Sequence, residues 1–277
     1  MKAVPLAEAR DAALFGGKAV QLGQALRAGL PVPDGYAFCA TLVERVVEGE
    51  GAAIELFRRC VEATPGQCAV RSSAVGEDSA EASFAGQHAT RLNVLGAAAA
   101  LSALREVWES GRTESAMAYR RRLNAGGEPQ VGVVLQRLVA ADMAGVLFTC
   151  DPVSGDDHML VEACWGLGEG VVQGMVVPDR YRMTREGQVL ERIPGSKDRS
   201  VRLAAGGGTE QRPVPPHLAR RLCLGYGDLR HLHAMARRCD AVFGEAPHDI
   251  EWAFEDGGLF LLQRRPVTQR AGQQRLA

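Results

Sequence analysis

Glu251, Gln263 and Arg265 are the residues through which the closing stretch of this 277-residue chain could do chemistry. They lie in "IEWAFEDGGLFLLQRRPV", Ile250 to Val267, where Ile, Trp, Phe and Leu predict two strands joined by a turn at Asp256-Gly257. A two-residue loop would set Glu251 against Leu262 and away from Gln263. A three-residue loop, Asp256-Gly257-Gly258 with a glycine in the left-handed bulge position, sets Glu251 opposite Gln263. Strand alternation then adds Asp249 and Arg265 to the same face. Two oxygen ligands and a cation on one sheet face suit a magnesium–phosphate site. The competing reading is a solvated face with ordinary ion pairs.

Other polar groups stand at the ends of apolar segments. Lys18 follows Gly16-Gly17, where backbone can approach an anion and the lysine adds a point charge. Arg71 ends "CAVR" and could grip phosphates or make a structural ion pair. The loop "SFAGQ", containing Gly86, could lay backbone N–H groups over phosphates, with Thr90 beyond it. Gln136, among Val133, Val134 and Leu138, needs a partner such as an adenine edge or the backbone. Taken singly, each has an ordinary structural explanation. Together with the closing hairpin they point to nucleoside triphosphate binding between two lobes. Other chemistries find no support: there is no P-loop, no G-x-S-x-G and no H-E-x-x-H, and "WGLGEG" lacks the third glycine of a dinucleotide fingerprint. His231 and His233 diverge on a predicted helix.

The elements that must position these groups mix helices and strands without a regular βαβ rhythm, which predicts an α+β fold. Helices are expected over Lys18–Ala28, Thr41–Ala63, Leu95–Leu123 and Leu218–Phe243. Strands are expected at Tyr36–Phe38 and in "CAVRSSA". "EPQVGVVLQRLV" and "AGVLFTCDPVSG" read as paired strands around "AADM". "PDRYRMTREGQVLER" reads as a hairpin, and the region from Arg199 to Pro216 as the most loop-like. Apolar residues make up 46% and charged residues 23%, with a formal net charge of −1. That balance gives no global attraction to nucleic acid or to an anionic membrane. No apolar run is long enough to span a bilayer, and the first residues lack a signal-peptide core. Seven scattered cysteines without a C-x-x-C pair fit small buried hydrophobes in a reducing cytosol, so a cytoplasmic protein is expected.

Five co-linear segments carry a resemblance. "FGGKAVQLGQALRAGLPVPDGY", "AVRSSAVGEDSAEASFAGQHATRLNV", "QRLVAADMAGVLFTCDPVSG", "VEACWGLGEGVVQGMVVPDRY" and "DIEWAFEDGGLFLLQRRPVT" resemble the N-terminal nucleotide-binding region of phosphoenolpyruvate synthase. Pyruvate phosphate dikinases and rifampin phosphotransferases share that region. The resemblance implies an ATP-grasp domain over residues 1–270, with lobes of roughly 1–130 and 131–270 and a tail at 271–277. It implies ATP contacts at Lys18, Arg71, Gly86, Thr90, Gln136, Glu251, Gln263 and Arg265, with magnesium held by Glu251 and Gln263. Arg71, Arg265 and Lys18 would stabilise the transferring phosphoryl group. Gln21 departs from the family's usual asparagine, which bears only on local packing. The implied partner is a phospho-accepting histidine on a swivelling domain, which this sequence does not show and which another chain or a missing part would supply. Two alternatives stay open at this stage: a self-sufficient ATP-grasp kinase or ligase acting on a small molecule, and a non-catalytic nucleotide-sensing module.

Overall fold

The computed structural model describes residues 2–75, 89–114, 116–118, 128–152 and 154–267. Strands β1 (Ala3–Pro5), β2 (Gly35–Phe38), β3 (Cys68–Ala74), β4 (Thr90–Val94) and β5 (Val131–Arg137) form an antiparallel sheet in the order β1-β2-β5-β3-β4. Helices α1 (Ala12–Phe15), α2 (Gly17–Arg27), α3 (Ala40–Val47), α4 (Gly51–Ala63) and α5 (Gly96–Ser110) accompany it. Helix α2 forms because Ala19, Leu22 and Ala25 recur on one buried face; it ends ahead of Gly29, whose φ of 74° suits glycine. The single helix expected over 41–63 is two helices. Gly49, at φ 89°, breaks it, while Leu42, Val46 and Phe57 still reach one core. The phenyl rings of Phe38 and Phe57 lie 5.0 Å apart there, each burial contributing roughly 1.5–3 kcal/mol.

A second sheet follows, made of β6 (Met143–Phe148), β7 (His158–Trp165), β8 (Asp179–Thr184), β9 (Val189–Ile193), β12 (His248–Glu255) and β13 (Gly258–Pro266). Its order is β13-β12-β6-β7-β8-β9, antiparallel throughout. Strands β5 and β6 therefore do not pair, contrary to expectation. "AADM" lies in a crossing between sheets, and β5 sits in the middle of the first sheet. The region expected to be loop-like folds as a separate hairpin, β10 (Arg199–Leu203) with β11 (Thr209–Pro213). Helix α6 (Glu169–Val172) is a single turn beside the cleft. The long helix expected from Leu218 is α7 (Pro216–Ala219) and then α8 (Tyr226–Phe243), separated by a stretch containing Gly225.

Alternation divides the second sheet into two surfaces. Ile250, Trp252 and Phe254 on β12, and Met159, Val161 and Ala163 on β7, are fully buried in the core with Leu232 and Ala236 of α8. Asp249, Glu251 and Glu162 point the other way, into the space between the sheets. All seven cysteines are free and buried, as expected; burial pushes the Cys164 and Cys239 thiols up to about 12. Among the described residues no helix is long and apolar enough to cross a membrane.

Candidate active site

The hairpin reaches the expected pairing by an unexpected route. Its turn is the two-residue Asp256-Gly257, with φ of 49° and 76°, so Glu255 faces Gly258. Continued without interruption, that register would set Glu251 against Leu262. A bulge intervenes: Trp252 pairs with Leu261, but Glu251 pairs with Gln263 and Asp249 with Arg265. The extra residue, Leu262, flips the faces. Leu261 stays in the core, fully buried, while Gln263 and Arg265 turn to the cleft and Arg264 turns back.

That flip places the hairpin's polar groups within reach of the first sheet. Arg71 of β3 donates from Nη2 to Gln263 Oε1 at 2.7 Å and from Nη1 to the carbonyl of bulged Leu262 at 2.6 Å. Its Nη1 also lies 3.3 Å from Gln136 Oε1, and Nη2 lies 3.7 Å from Glu251 Oε2. Arg265 donates to Glu251 Oε1 at 2.9 Å. Gln136 donates to the Pro33 carbonyl at 2.9 Å, so its amide bridges backbone and arginine. These groups line a cleft of about 800 Å³ together with Lys18 and Thr90.

Lys18 owes its place to Gly16. With φ of 80° that residue packs so closely on β3 that a Cβ would stand 1.9 Å from the Ser73 carbonyl oxygen. Ala19 N–H then donates to Ser73 Oγ, and buried Lys18 Nζ donates to the Ser72 carbonyl at 2.7 Å. Thr90 pairs with Arg71 across β3 and β4. Of the expected site, Lys18, Arg71, Thr90, Gln136, Glu251, Gln263 and Arg265 come together in the cleft; Gly86 lies outside the described residues. Gln21 Oε1, at the position that departs from the family's asparagine, is buried without a hydrogen-bond partner among the described residues.

Three further features escape a linear reading. Arg137 donates to Glu255 Oε2 at 2.7 Å, and Glu255 Oε1 accepts from Ala140 N–H at 2.6 Å, pinning residues 138–142 to the hairpin tip. Glu162 extends the polar row, since Val146 pairs with Glu251 on one side and Glu162 on the other. Behind the sheet, fully buried His248 accepts from Arg264 at Nδ1, with distances of 3.0 and 2.6 Å. A guanidinium has no lone pair to offer, so the ring is the neutral Nε2–H form, facing Asp240 Oδ1 at 3.4 Å. Desolvation, then the Arg264 charge, hold its pKa down at about 4. Only the register across β12, β6 and β7 reveals Glu162; the "DG" turn flags Glu255 by position but not its partner.

In chemical terms the Glu251 carboxylate and the Gln263 amide oxygen stand on adjacent strands, with the Arg71 and Arg265 guanidiniums and the Lys18 ammonium around them and the Asp249 and Glu162 carboxylates on the same sheet face. Such a set has the donors and acceptors that a polyanion paired with a hard divalent cation calls for. Residues 52–276 match the family model described as the pyruvate phosphate dikinase AMP/ATP-binding domain. The chain belongs to this family. As a dikinase-type AMP/ATP-binding domain, its two α+β lobes about a cleft are the ATP-grasp arrangement. It is 33% identical to a probable phosphoenolpyruvate synthase of Methanothermobacter thermautotrophicus, over 93% of this chain and 44% of that protein. It is 36% identical to a rifampicin phosphotransferase of a Streptomyces species, over 94% and 35%. The domain thus spans less than half the length of these relatives. Among solved structures, D-alanine–D-alanine ligase of Helicobacter pylori matches 92% of this chain and 55% of its own, at a TM-score of 0.43 and 9% identity.

Proposed function

We propose that this chain is the ATP-handling part of a phosphotransferase of the phosphoenolpyruvate synthase and rifampicin phosphotransferase type. It binds Mg-ATP between its lobes and passes the β- and γ-phosphates together to a histidine of a swivelling domain, supplied by another chain or by a missing part of this one, leaving AMP. Hydrolysis of that pyrophosphoryl group then releases inorganic phosphate and leaves one phosphoryl on the histidine. The observation that carries this reading is the meeting of Arg71, from the first sheet, with Glu251, Gln263 and Arg265, from the second, across one cleft.

The residues divide the work by chemistry. Lys18, Arg71 and Arg265 hold and orient the phosphates and stabilise charge spreading over their oxygens, where most of the catalysis of phosphoryl transfer resides. Thr90 adds a donor to the same anion. Gln136 keeps Arg71 in register from the first sheet and borders the end of the cleft where Leu138 and Val139 offer an apolar wall to a base. Glu251 and Gln263 fit magnesium, because both present hard oxygens and lie directly opposite each other. When bound, that ion neutralises phosphate charge.

The test is nucleotide analysis with the purified chain, ATP and magnesium, with and without a histidine-bearing swivelling domain from a relative. AMP formed only with that domain present is the expected result. ADP formed with a small acceptor alone would overturn the histidine route. Glu251→Ala is expected to cut magnesium-dependent turnover at least ~100-fold while leaving circular dichroism unchanged.

A further inference from the structure

Within the cleft, the oxygens suited to a metal are already engaged by side chains. Gln263 Oε1 accepts from Arg71 at 2.7 Å, and Glu251 divides its two oxygens between Arg71 at 3.7 Å and Arg265 at 2.9 Å. A divalent ion bound to the same oxygens would stand roughly 2.1 Å from each. Arg71 Nη2, at hydrogen-bond distance from Gln263 Oε1 and 3.7 Å from Glu251 Oε2, sets a positive charge beside both oxygens and competes with that ion for them. Arg71 is also held on the β13 side by the Leu262 carbonyl and on its own sheet by Gln136. It therefore bridges the two sheets across the cleft.

We propose that Arg71 is an internal counter-cation. It blocks the metal position while the cleft is empty and vacates it only when a polyphosphate offers its guanidinium a better anion. Two parallel N–H···O contacts to phosphate are stronger than one to an amide oxygen and one to a carbonyl, so the exchange is driven by the ligand. Metal and nucleotide then bind as a coupled pair, and the empty protein has little affinity for metal alone. This inference rests on the nucleotide reading above.

The probe is Mn²⁺, followed by electron paramagnetic resonance on the whole chain without nucleotide. Arg71→Met is expected to bind Mn²⁺ at least ~10-fold more tightly than the wild type, the release of a blocked site. Adding Glu251→Gln to that variant should abolish the gain, locating the ion. Arg71→Lys keeps a charge but loses the fork; it should show a rise of about threefold, and it decides the matter if Arg71→Met does not fold. Equal or weaker Mn²⁺ binding in the folded variants overturns the inference. Calorimetry of a non-hydrolysable ATP analogue with the wild type separates the two levels. If no nucleotide binds, the reading of the cleft fails; if nucleotide binds but Mn²⁺ affinity ignores Arg71, only the counter-cation role fails.

Discussion

The two surfaces of the second sheet treat charge differently. Toward the core, Asp179 and Lys197 form a fully buried ion pair, and Asp179 also accepts from Gly195 N–H at 2.9 Å and Cys223 N–H at 2.7 Å. Tyr181, next along the face, donates to Asp179 at 3.3 Å and accepts from Leu224 N–H at 2.9 Å. These partners come from neighbouring strands and the segments folded against them, within a single lobe. Toward the cleft, Arg71 reaches partners 191 and 192 residues away in sequence, on the opposite sheet. The first kind of network locks one arrangement. The second spans a gap and can trade its partners for a ligand.

The largest expected effect comes from breaking the core network. Lys197→Met should cost about 3–5 kcal/mol, because it leaves Asp179 buried without its cation. A shifted denaturant midpoint measures this, and unaltered nucleotide affinity in the folded fraction would sharpen the contrast with the cleft. Next comes pH. The His248 pKa is lowered to about 4 from an ordinary 6.5, so the folded chain binds fewer protons than the unfolded chain between those values. Its contribution, of order 3 kcal/mol, is complete above pH 6.5 and is lost as pH falls toward 4. Denaturation curves across that window should show the slope, and His248→Gln should flatten it.

Smaller effects belong to the cleft. Arg265→Lys keeps the charge but not the planar fork against Glu251, and should reduce turnover by about 10-fold with little change in melting temperature. Glu255→Gln weakens the Arg137 clasp on the linker and should loosen ATP binding by a few-fold, about 1 kcal/mol, without altering metal dependence. A clear loss of stability in either variant would erase the distinction between the two surfaces.

Much of the arrangement is legible in the sequence where contacts are local. Helix α2, strand β3 and the hairpin of β8 with β9 follow from periodicity and turn residues. The Glu251–Gln263 pairing is also legible, although the loop invoked for it is not the one that forms; a shorter turn and a bulge produce the same register. Strand β11 was hidden because "TEQRP" is exposed at every position and carries no apolar alternation. The separation of β5 from β6 was hidden for a different reason. Two adjacent apolar strands joined by a short connection look like a hairpin, and only sheet order shows that the chain crosses between layers. The convergence of Arg71 with the hairpin is beyond any local pattern; the joint presence of these polar groups suggested it, and the shared family motifs assigned the residues.

Leu262 has a consequence for how this chain can vary. A strand is an alternator of period two, and one supernumerary residue advances its phase by half a cycle. Deleting a single codon there would keep every downstream side chain yet exchange their destinations, sending an amide and a guanidinium into the greasy layer and another guanidinium outward. Between a surface that grips anions and one that cannot fold around its own charges lies the length of one amino acid.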